Sequence, residues 1–192
     1  MAPKQTPSQT IGPYFSFGLL PEQYGYDYKQ LAGNVLVDDG GTPIIIRGQV
    51  FDGNGEAVRD AVLEIWQADS QGRYARGDDG ANTGFGGFAR VGTGTLPGHV
   101  YEFHTVKPGA IGDGQAPHIT VVLFMRGLLN HVYTRIYFAD EADANRLDPV
   151  LASLDDDRWQ TLIARKETSG DGNAYRFDIH MQGERETVFF DA

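Results

Sequence analysis

Short apolar runs that alternate with glycine-containing turns extend through most of this 192-residue sequence, and they constrain its fold more than any other feature. The 25 glycines are spread between the runs rather than gathered in one tract. Runs of this length rich in β-branched residues are typical of strands, and many short strands joined by tight turns indicate a sandwich or a barrel. We therefore expect an all-β fold, a β-sandwich of mostly antiparallel strands with few short helices.

Eight segments have strand character, and they are 43–51, 61–68, 85–91, 101–106, 118–126, 131–138, 174–182 and 187–190. The first two flank Asp52-Gly53-Asn54-Gly55, a strong turn signal, and are expected to pair as a hairpin. Trp66 follows the apolar Leu63 and Ile65, which indicate a strand buried on both faces, and it is expected in the core. In the second half of the chain only residues 140–146 have a helical pattern, with Asp140 as the expected N-cap.

The first 42 residues show neither strand nor helix periodicity, and they contain the clustered Tyr24, Tyr26 and Tyr28. Disordered segments are poor in aromatic residues, so a disordered tail is the weaker interpretation. We expect residues 1–42 to form an extended N-terminal arm that packs on another surface. Residues 43–192 are then the sandwich core of a single domain.

Charge and composition exclude several classes of function. The formal net charge of -10 disfavours nucleic acid and anionic membranes as partners, because both are bound mainly by Lys and Arg. The longest apolar run, 121–125, is far shorter than a membrane span, and the N-terminus lacks a signal-peptide pattern. We expect a soluble, cytoplasmic protein. Because the sequence has no cysteine, any metal ion would need His, Tyr, Asp or Glu ligands.

Three local patterns stand out in order along the chain: 64–69 followed by Gly72-Arg73-Tyr74, then 104–109, then 116–120. In this order they resemble the intradiol ring-cleavage dioxygenases. The resemblance extends to 6–14 at the start, 124–127 in the middle and 182–191 at the end, so it covers nearly the whole chain. In the iron-bearing chains of that family, two tyrosines and a His-x-His strand bind Fe(III), a hard ion that oxygen ligands stabilise.

The sequence departs from the family's ligand pattern at three of its four positions. No tyrosine occurs between Tyr74 and Tyr101, and Ala81 falls near the place of the first ligand. Ile111 stands where the second tyrosine belongs, and Thr120 replaces the second histidine. Only His118 remains, and we expect it to be a structural, hydrogen-bonded histidine. The resemblance therefore implies a chain that binds no metal or other cofactor itself.

The resemblance further implies a shared active site between two chains. Fe(III) would lie on an iron-bearing beta subunit, in a hetero-oligomer of alpha-beta pairs that cleaves 3,4-dihydroxybenzoate with O2 to 3-carboxy-cis,cis-muconate. This chain would have no catalytic residue and would complete the substrate pocket at the interface. The family's substrate-binding roles fall on Thr10, Gly12, Pro13 and Tyr14 as the wall and on Arg126 near the carboxylate, which a guanidinium can bind bidentately.

The residues by themselves leave other interpretations open. Arg126 could be a surface charge at a strand end, and Tyr14 could only anchor the arm. His118 and Arg126 would share one face of a regular strand but lie roughly 26 Å apart, too far to serve one small pocket. A stand-alone transthyretin-like binding module without a catalytic role is the alternative function. Such a module has no need of the N-terminal arm or of the C-terminal segment 186–190. An active single-chain dioxygenase would need both tyrosines and both histidines.

Overall fold

The computed structural model describes residues 13–36, 40–75, 85–155, 157–168 and 173–191. Within these ranges the chain forms ten strands: β1 (Pro43–Gly48), β2 (Val50–Phe51), β3 (Val62–Gln67), β4 (Phe88–Gly92), β5 (Tyr101–Val106), β6 (His118–Phe124), β7 (Val132–Phe138), β8 (Ile163–Lys166), β9 (Ala174–Arg176) and β10 (Ile179–His180). Two short α-helices are present, α1 (Pro13–Leu19) and α2 (Ala142–Leu147). None of the helices in this part of the chain is long and apolar enough to cross a membrane.

The strands form a two-layer sandwich whose corner is β8. Hydrogen-bonded neighbours follow the order β4-β3-β6-β7-β8-β9-β1-β5, and β2 pairs separately with β10. The short strand β8 pairs with β7 in parallel and with β9 in antiparallel fashion, so it passes from one layer to the other. Buried residues of both layers, such as Ile44 on β1 and Ile65 on β3, belong to one core. The expected all-β sandwich is confirmed.

Strand periodicity gives the layer β4-β3-β6-β7 a buried face and an outer face. On β6, Ile119, Val121 and Leu123 are fully buried, whereas Thr120 and Val122 between them are only partly buried. Because side chains alternate along a strand, the even-numbered residues of β3, β4 and β6 and the odd-numbered residues of β7 lie on the outer face, opposite the core that the two layers share. This outer face carries the positions of interest for function.

The expected hairpin between 43–51 and 61–68 is wrong, although its turn forms. The Gly55 amide donates to the Asp52 carbonyl at 3.0 Å, and Phe51 bridges Ala57. Strand β1, however, pairs with β5 and β9, and β3 pairs with β4 and β6 in the other layer. Each strand thereby gains two neighbours and a core-facing side, and a two-stranded hairpin would provide less burial.

The side chain of Trp66 lies on the outer face and is 38% exposed, so its expected core position is wrong. The reason is parity, because its neighbours on β3 that point to the core are Leu63 and Ile65, both fully buried. The indole stacks on the Tyr74 ring with centroids 6.2 Å apart and planes at 5°. The aromatic surface is thus shared between a strand and the loop that follows it.

The C-terminal third differs from the expected strands in three respects. The predicted strand 174–182 is divided into β9 and β10. Within the described ranges, the ladder pairing of 187–190 is one isolated bridge, from Phe190 to Tyr133. Strand β8 was not expected at all. Short strands of two to four residues carry too little periodicity to be recognised from the sequence.

The expected helix is present, but Asp140 does not cap it. A 3-10 turn, Ala139–Glu141, precedes α2, and no side chain caps the helix. The Asp140 carboxylate instead accepts a hydrogen bond from the Tyr175 hydroxyl at 2.8 Å and pairs with Lys107 Nζ at 3.0 Å. Burial would raise the pKa of Asp140, but the hydrogen bonds from Lys107 and Tyr175 outweigh it and lower that pKa.

The described part of the N-terminal arm, residues 13–36, packs on the sandwich and contains short helical segments. It forms α1 and a 3-10 turn, Glu22–Tyr24, and Leu20 between them is fully buried. The Gln23 side chain bonds both the amide and the carbonyl of Gly92, each at 2.9 Å. Pro13 suits the first turn of α1, because that position has no intrahelical partner for an amide proton. The arm is therefore held to the sheet by specific contacts.

Candidate functional site

The N-terminal helix and the end of β6 meet at one edge of the outer face. The Phe15 ring on α1 lies 6.4 Å from the ring of Phe124, the last residue of β6. Tyr14 precedes Phe15 and is 84% exposed, and Arg126 follows Phe124 by two residues. Two of the expected substrate-binding residues thus lie on segments that touch. Pro13 begins α1, whereas Thr10 and Gly12 lie outside the described residues.

Arg126 is held by an ion pair while much of its side chain remains exposed. Its Nε lies 3.0 Å from Asp60 Oδ2, and the side chains are 54% and 16% exposed respectively. The pair continues the antiparallel register of β3 and β6. Val62 and Phe124 are the last opposed residues; Asp60 lies two positions before Val62, and Arg126 lies two positions after Phe124. The guanidinium is therefore positioned and accessible at the same time.

Aromatic side chains next to this edge support it. The Phe124 ring lies 5.3 Å from the His131 ring, whose Nε2 is 2.8 Å from the Tyr133 hydroxyl. The His131–Tyr133 pair is thus part of a packed aromatic row. Among the described residues, no three His, Cys, Asp or Glu side chains are close enough to hold a metal ion.

A second cluster lies further along β6 on the same outer face. His118 opposes Tyr137, and Thr120 opposes Arg135. His118 is buried, with Nδ1 2.8 Å from the Ala116 carbonyl, so Nδ1 carries the proton and donates. Burial and the nearby charge of Arg135 lower the pKa of this histidine. His118 is buried and hydrogen-bonded, as expected for a structural histidine.

The Arg135 guanidinium occupies the centre of this second cluster. Its Nη1 donates to Gln115 Oε1 at 2.8 Å and to the Tyr137 hydroxyl at 3.2 Å, and its Cζ lies 5.8 Å from the centroid of the Phe190 ring. Burial raises the pKa of Tyr137 to about 12, so its phenol stays protonated near neutral pH. The cluster therefore contains a fixed cation and a neutral phenol, an environment that disfavours a second cation.

These residues do not fit Fe(III). A mononuclear ferric site needs several anionic or imidazole ligands. At the family's ligand positions that the structure describes, His118 offers an imidazole, Thr120 a neutral hydroxyl and Ile111 a side chain without a donor atom. The guanidinium of Arg135 adds a positive charge rather than a ligand. Ala81, the expected replacement of another ligand, lies outside the described residues.

The sequence interpretation missed Asp60, Gln115, Arg135 and Tyr137. Arg135 and Tyr137 are spaced for one face of a strand, as are His118 and Thr120, and this shared spacing was the available signal. Whether the first pair opposes the second depends on the β6–β7 register, in which His118 faces Tyr137 and Thr120 faces Arg135. The loop at 125–131 connects the two strands. Asp60 precedes β3 and carried no local signal.

A sandwich with the three intradiol motifs in order, and an outer face on which the described residues keep one imidazole of the family's ligand set, defines an intradiol-type dioxygenase chain. The family model described as Dioxygenase matches residues 12–183, and the chain belongs to this intradiol dioxygenase family. It is 53% identical to the protocatechuate 3,4-dioxygenase alpha chain of Burkholderia cepacia, over 98% of both chains.

Two further comparisons separate chain type from fold. The protocatechuate 3,4-dioxygenase beta chain of Burkholderia cepacia is 32% identical over 77% of this chain and 67% of that one. The chain is thus more similar to the alpha chain than to the beta chain of the same organism. The intradiol ring-cleavage dioxygenase of Tetranychus urticae matches with a TM-score of 0.63 over 92% of this chain and 94% of that one, at 17% identity, which shows a shared fold.

Proposed function

We propose that this chain is the metal-free alpha-type subunit of a protocatechuate 3,4-dioxygenase and completes the substrate pocket of an iron-bearing beta subunit. The observation that carries the proposal is the contrast between two places on the outer face. Arg135 fills the cluster around His118, whereas Arg126 and Tyr14 are displayed at the other edge, where the fold of this chain leaves them exposed.

The substrate supplies the reason for an arginine at that edge. Protocatechuate, 3,4-dihydroxybenzoate, carries a carboxylate that catechol lacks, and a guanidinium binds a carboxylate through two parallel hydrogen bonds. Arg126 would orient this group, and Tyr14 would wall the ring together with Thr10, Gly12 and Pro13. Fe(III) on the partner subunit would supply the chemistry by which the catechol ring reacts with O2 to give 3-carboxy-cis,cis-muconate.

The arm supports association with a partner chain. The described residues include ten exposed large hydrophobic side chains, and six of them lie in the arm: Tyr14, Phe15, Tyr26, Tyr28, Leu31 and Val35. Exposed apolar groups gathered on one segment are typical of interaction surfaces, and obligate interfaces bury large apolar areas. We infer a hetero-oligomer of alpha-beta pairs, and a cytoplasmic location is part of the proposal.

Co-expression with an iron-bearing beta chain tests the proposal. The two chains should co-purify in a 1:1 ratio, cleave protocatechuate and contain one iron per pair, while this chain expressed alone should be poorly soluble or self-associated and inactive. If this chain is a monodisperse monomer that does not bind the beta chain, the result would contradict the proposal and favour the transthyretin-like binding module.

A further inference from the structure

We propose that Asp60 is a positioning residue for substrate recognition, because it fixes the Arg126 guanidinium through Nε and directs the two Nη groups toward the substrate carboxylate. This inference rests on the proposed function of Arg126. It adds a second residue of this chain to the shared pocket and explains why an acid stands next to a group that must bind an anion.

The backbone next to Asp60 is itself held in place. Asp60 lies two residues before β3, and the next residue, Ala61, exchanges two hydrogen bonds with Thr93. The Ala61 amide donates to Thr93 Oγ1 at 3.1 Å, and the Thr93 amide donates to the Ala61 carbonyl at 3.0 Å. Ala61 and Thr93 are both fully buried. Asp60 is therefore attached to a rigid part of the sheet and is mostly buried, with its side chain 16% exposed.

Among the described residues, Arg126 lies on a less firmly held segment than Asp60. It follows β6 in a turn in which the Leu128 amide bonds the Met125 carbonyl at 3.3 Å, and Gly127 has a φ of +94°. Within the described part of the chain, its ion-pair partner is Asp60, through Nε. A guanidinium has five N–H donors, so a contact at Nε is compatible with an end-on, bidentate carboxylate at the two Nη atoms.

Two effects of Asp60 on the binding of a carboxylate oppose each other. Its negative charge reduces the attraction between Arg126 and the substrate, but a half-exposed ion pair contributes little because water screens it. Ordering a long side chain when a ligand binds costs about 0.5 to 1.5 kcal/mol, and a residue that is already ordered avoids this cost. Removing Asp60 should therefore weaken binding of the carboxylate substrate by roughly 2- to 10-fold.

The test uses the co-expressed alpha-beta complex and steady-state kinetics with protocatechuate and with catechol. D60A should raise KM for protocatechuate by roughly 2- to 10-fold with kcat, iron content and catechol turnover nearly unchanged. D60N should restore most of the lost affinity, because its amide oxygen can still accept from Nε. D143A is the matched control, since it removes the acid of the exposed Asp143–Arg146 pair on α2, and it should change nothing.

A double variant separates this inference from the proposed function. If Asp60 acts through Arg126, D60A combined with R126A should bind protocatechuate no worse than R126A alone. A selective loss in R126A without any in D60A, or additive losses in the double variant, would overturn the positioning role and leave the function of Arg126 standing. Equal losses of D60A on both substrates, or a D60N variant as impaired as D60A, would overturn it too. If R126A shows no selective loss, both proposals fall.

Discussion

Thr120 and Arg135 face each other across the β6–β7 ladder, so the position of the family's second histidine ligand is opposed by a guanidinium. Arg135 is fixed by Gln115 and Tyr137, and its charge helps to lower the pKa of His118. A positive charge in this place disfavours a metal ion and keeps the remaining imidazole neutral. The replacement of the family's ligands and the charge of Arg135 thus both disfavour iron binding at this place.

The first prediction is that the iron content of the alpha-beta complex does not depend on His118. In the alpha-beta complex, H118A should leave one iron per pair and the tyrosinate-to-iron charge-transfer colour unchanged, because this chain's cluster does not fit Fe(III). Elemental analysis and a visible spectrum measure both. The chain expressed alone should contain no stoichiometric iron, and a coloured chain with one iron per molecule would contradict the absence of a site in it.

The second prediction concerns the structural role of Arg135. R135M should lower the free energy of unfolding by about 1 to 3 kcal/mol, because Gln115 and Tyr137 lose hydrogen bonds to a charged group and Phe190 loses a cation. R146M on the exposed surface of α2 is the matched control and should change it by less than about 0.5 kcal/mol. Urea denaturation of the purified complex compares the two, and equal effects would count against a stabilising cation.

The third prediction follows from the lowered pKa of His118. Above the unfolded-state pKa of about 6.5, His118 is neutral in both states, and its contribution to stability is fully present. As the pH falls below about 6.5, the unfolded chain takes up a proton that the buried imidazole does not, so stability is lost until the pH reaches the lower, folded-state pKa.

The H118N variant tests this pH dependence, because asparagine keeps a donor for the Ala116 carbonyl but does not titrate. Its unfolding free energy should decline less than that of the wild type between pH 7 and pH 5.5, by at most about 1.4 kcal/mol per pH unit. Parallel curves for the two proteins would show that His118 does not carry the effect.

The fold class could be predicted because the burial pattern of single strands is local. Tyr101–Val106 has its predicted bounds, and β6 and β7 begin at or within one residue of theirs. The partners of each strand could not be predicted, because β1 finds its neighbours through the core rather than through the adjacent turn. Strand β8 gains its structure from pairing with two layers at once, and its own four residues do not specify that.

For the candidate site too, local features could be predicted from the sequence, whereas contacts between distant residues could not. The missing ligands and the positions of Arg126 and Tyr14 follow from motifs in the sequence. The contacts Asp60–Arg126 and Arg135–Gln115 join residues far apart in the chain, and each depends on a register between strands. Helix α1 was missed because aromatic residues form helices only weakly by themselves, and α1 is stabilised by packing, including that of Phe15 on Phe124.

The fourth prediction is that the exposed aromatic side chains of the arm contribute to association with the partner. Tyr14 is 84% exposed in this chain, so Y14A should leave the chain's own packing intact while weakening the complex. Buried aromatic anchors at interfaces contribute about 2 kcal/mol or more, which corresponds to a roughly 30-fold or larger increase in the dissociation constant. Analytical ultracentrifugation at decreasing concentration measures it.

Leu147 provides the matched control for that experiment. It is 80% exposed but lies on α2 rather than in the arm, so L147A tests whether any exposed apolar side chain has the same effect. A dissociation constant that rises equally in Y14A and L147A would show that the arm has no special role in assembly.

The last prediction concerns Arg126 and the charge of the substrate. A hydrogen bond to a charged group contributes about 1.5 to 3 kcal/mol, so R126A in the assembled complex should lower kcat/KM for protocatechuate by roughly 10- to 150-fold. R126K keeps the charge but loses the planar fork and the Nε contact to Asp60, and it should recover only part of the loss. Turnover of catechol, which has no carboxylate, should fall much less, and iron content should not change. Arg126 follows Phe124, whose ring contacts Phe15 of the arm, by two residues, so the competing role is to hold the arm to the sheet. In that case R126A would lower activity equally on both substrates and loosen the complex, and the assignment of Arg126 to the substrate carboxylate would be withdrawn.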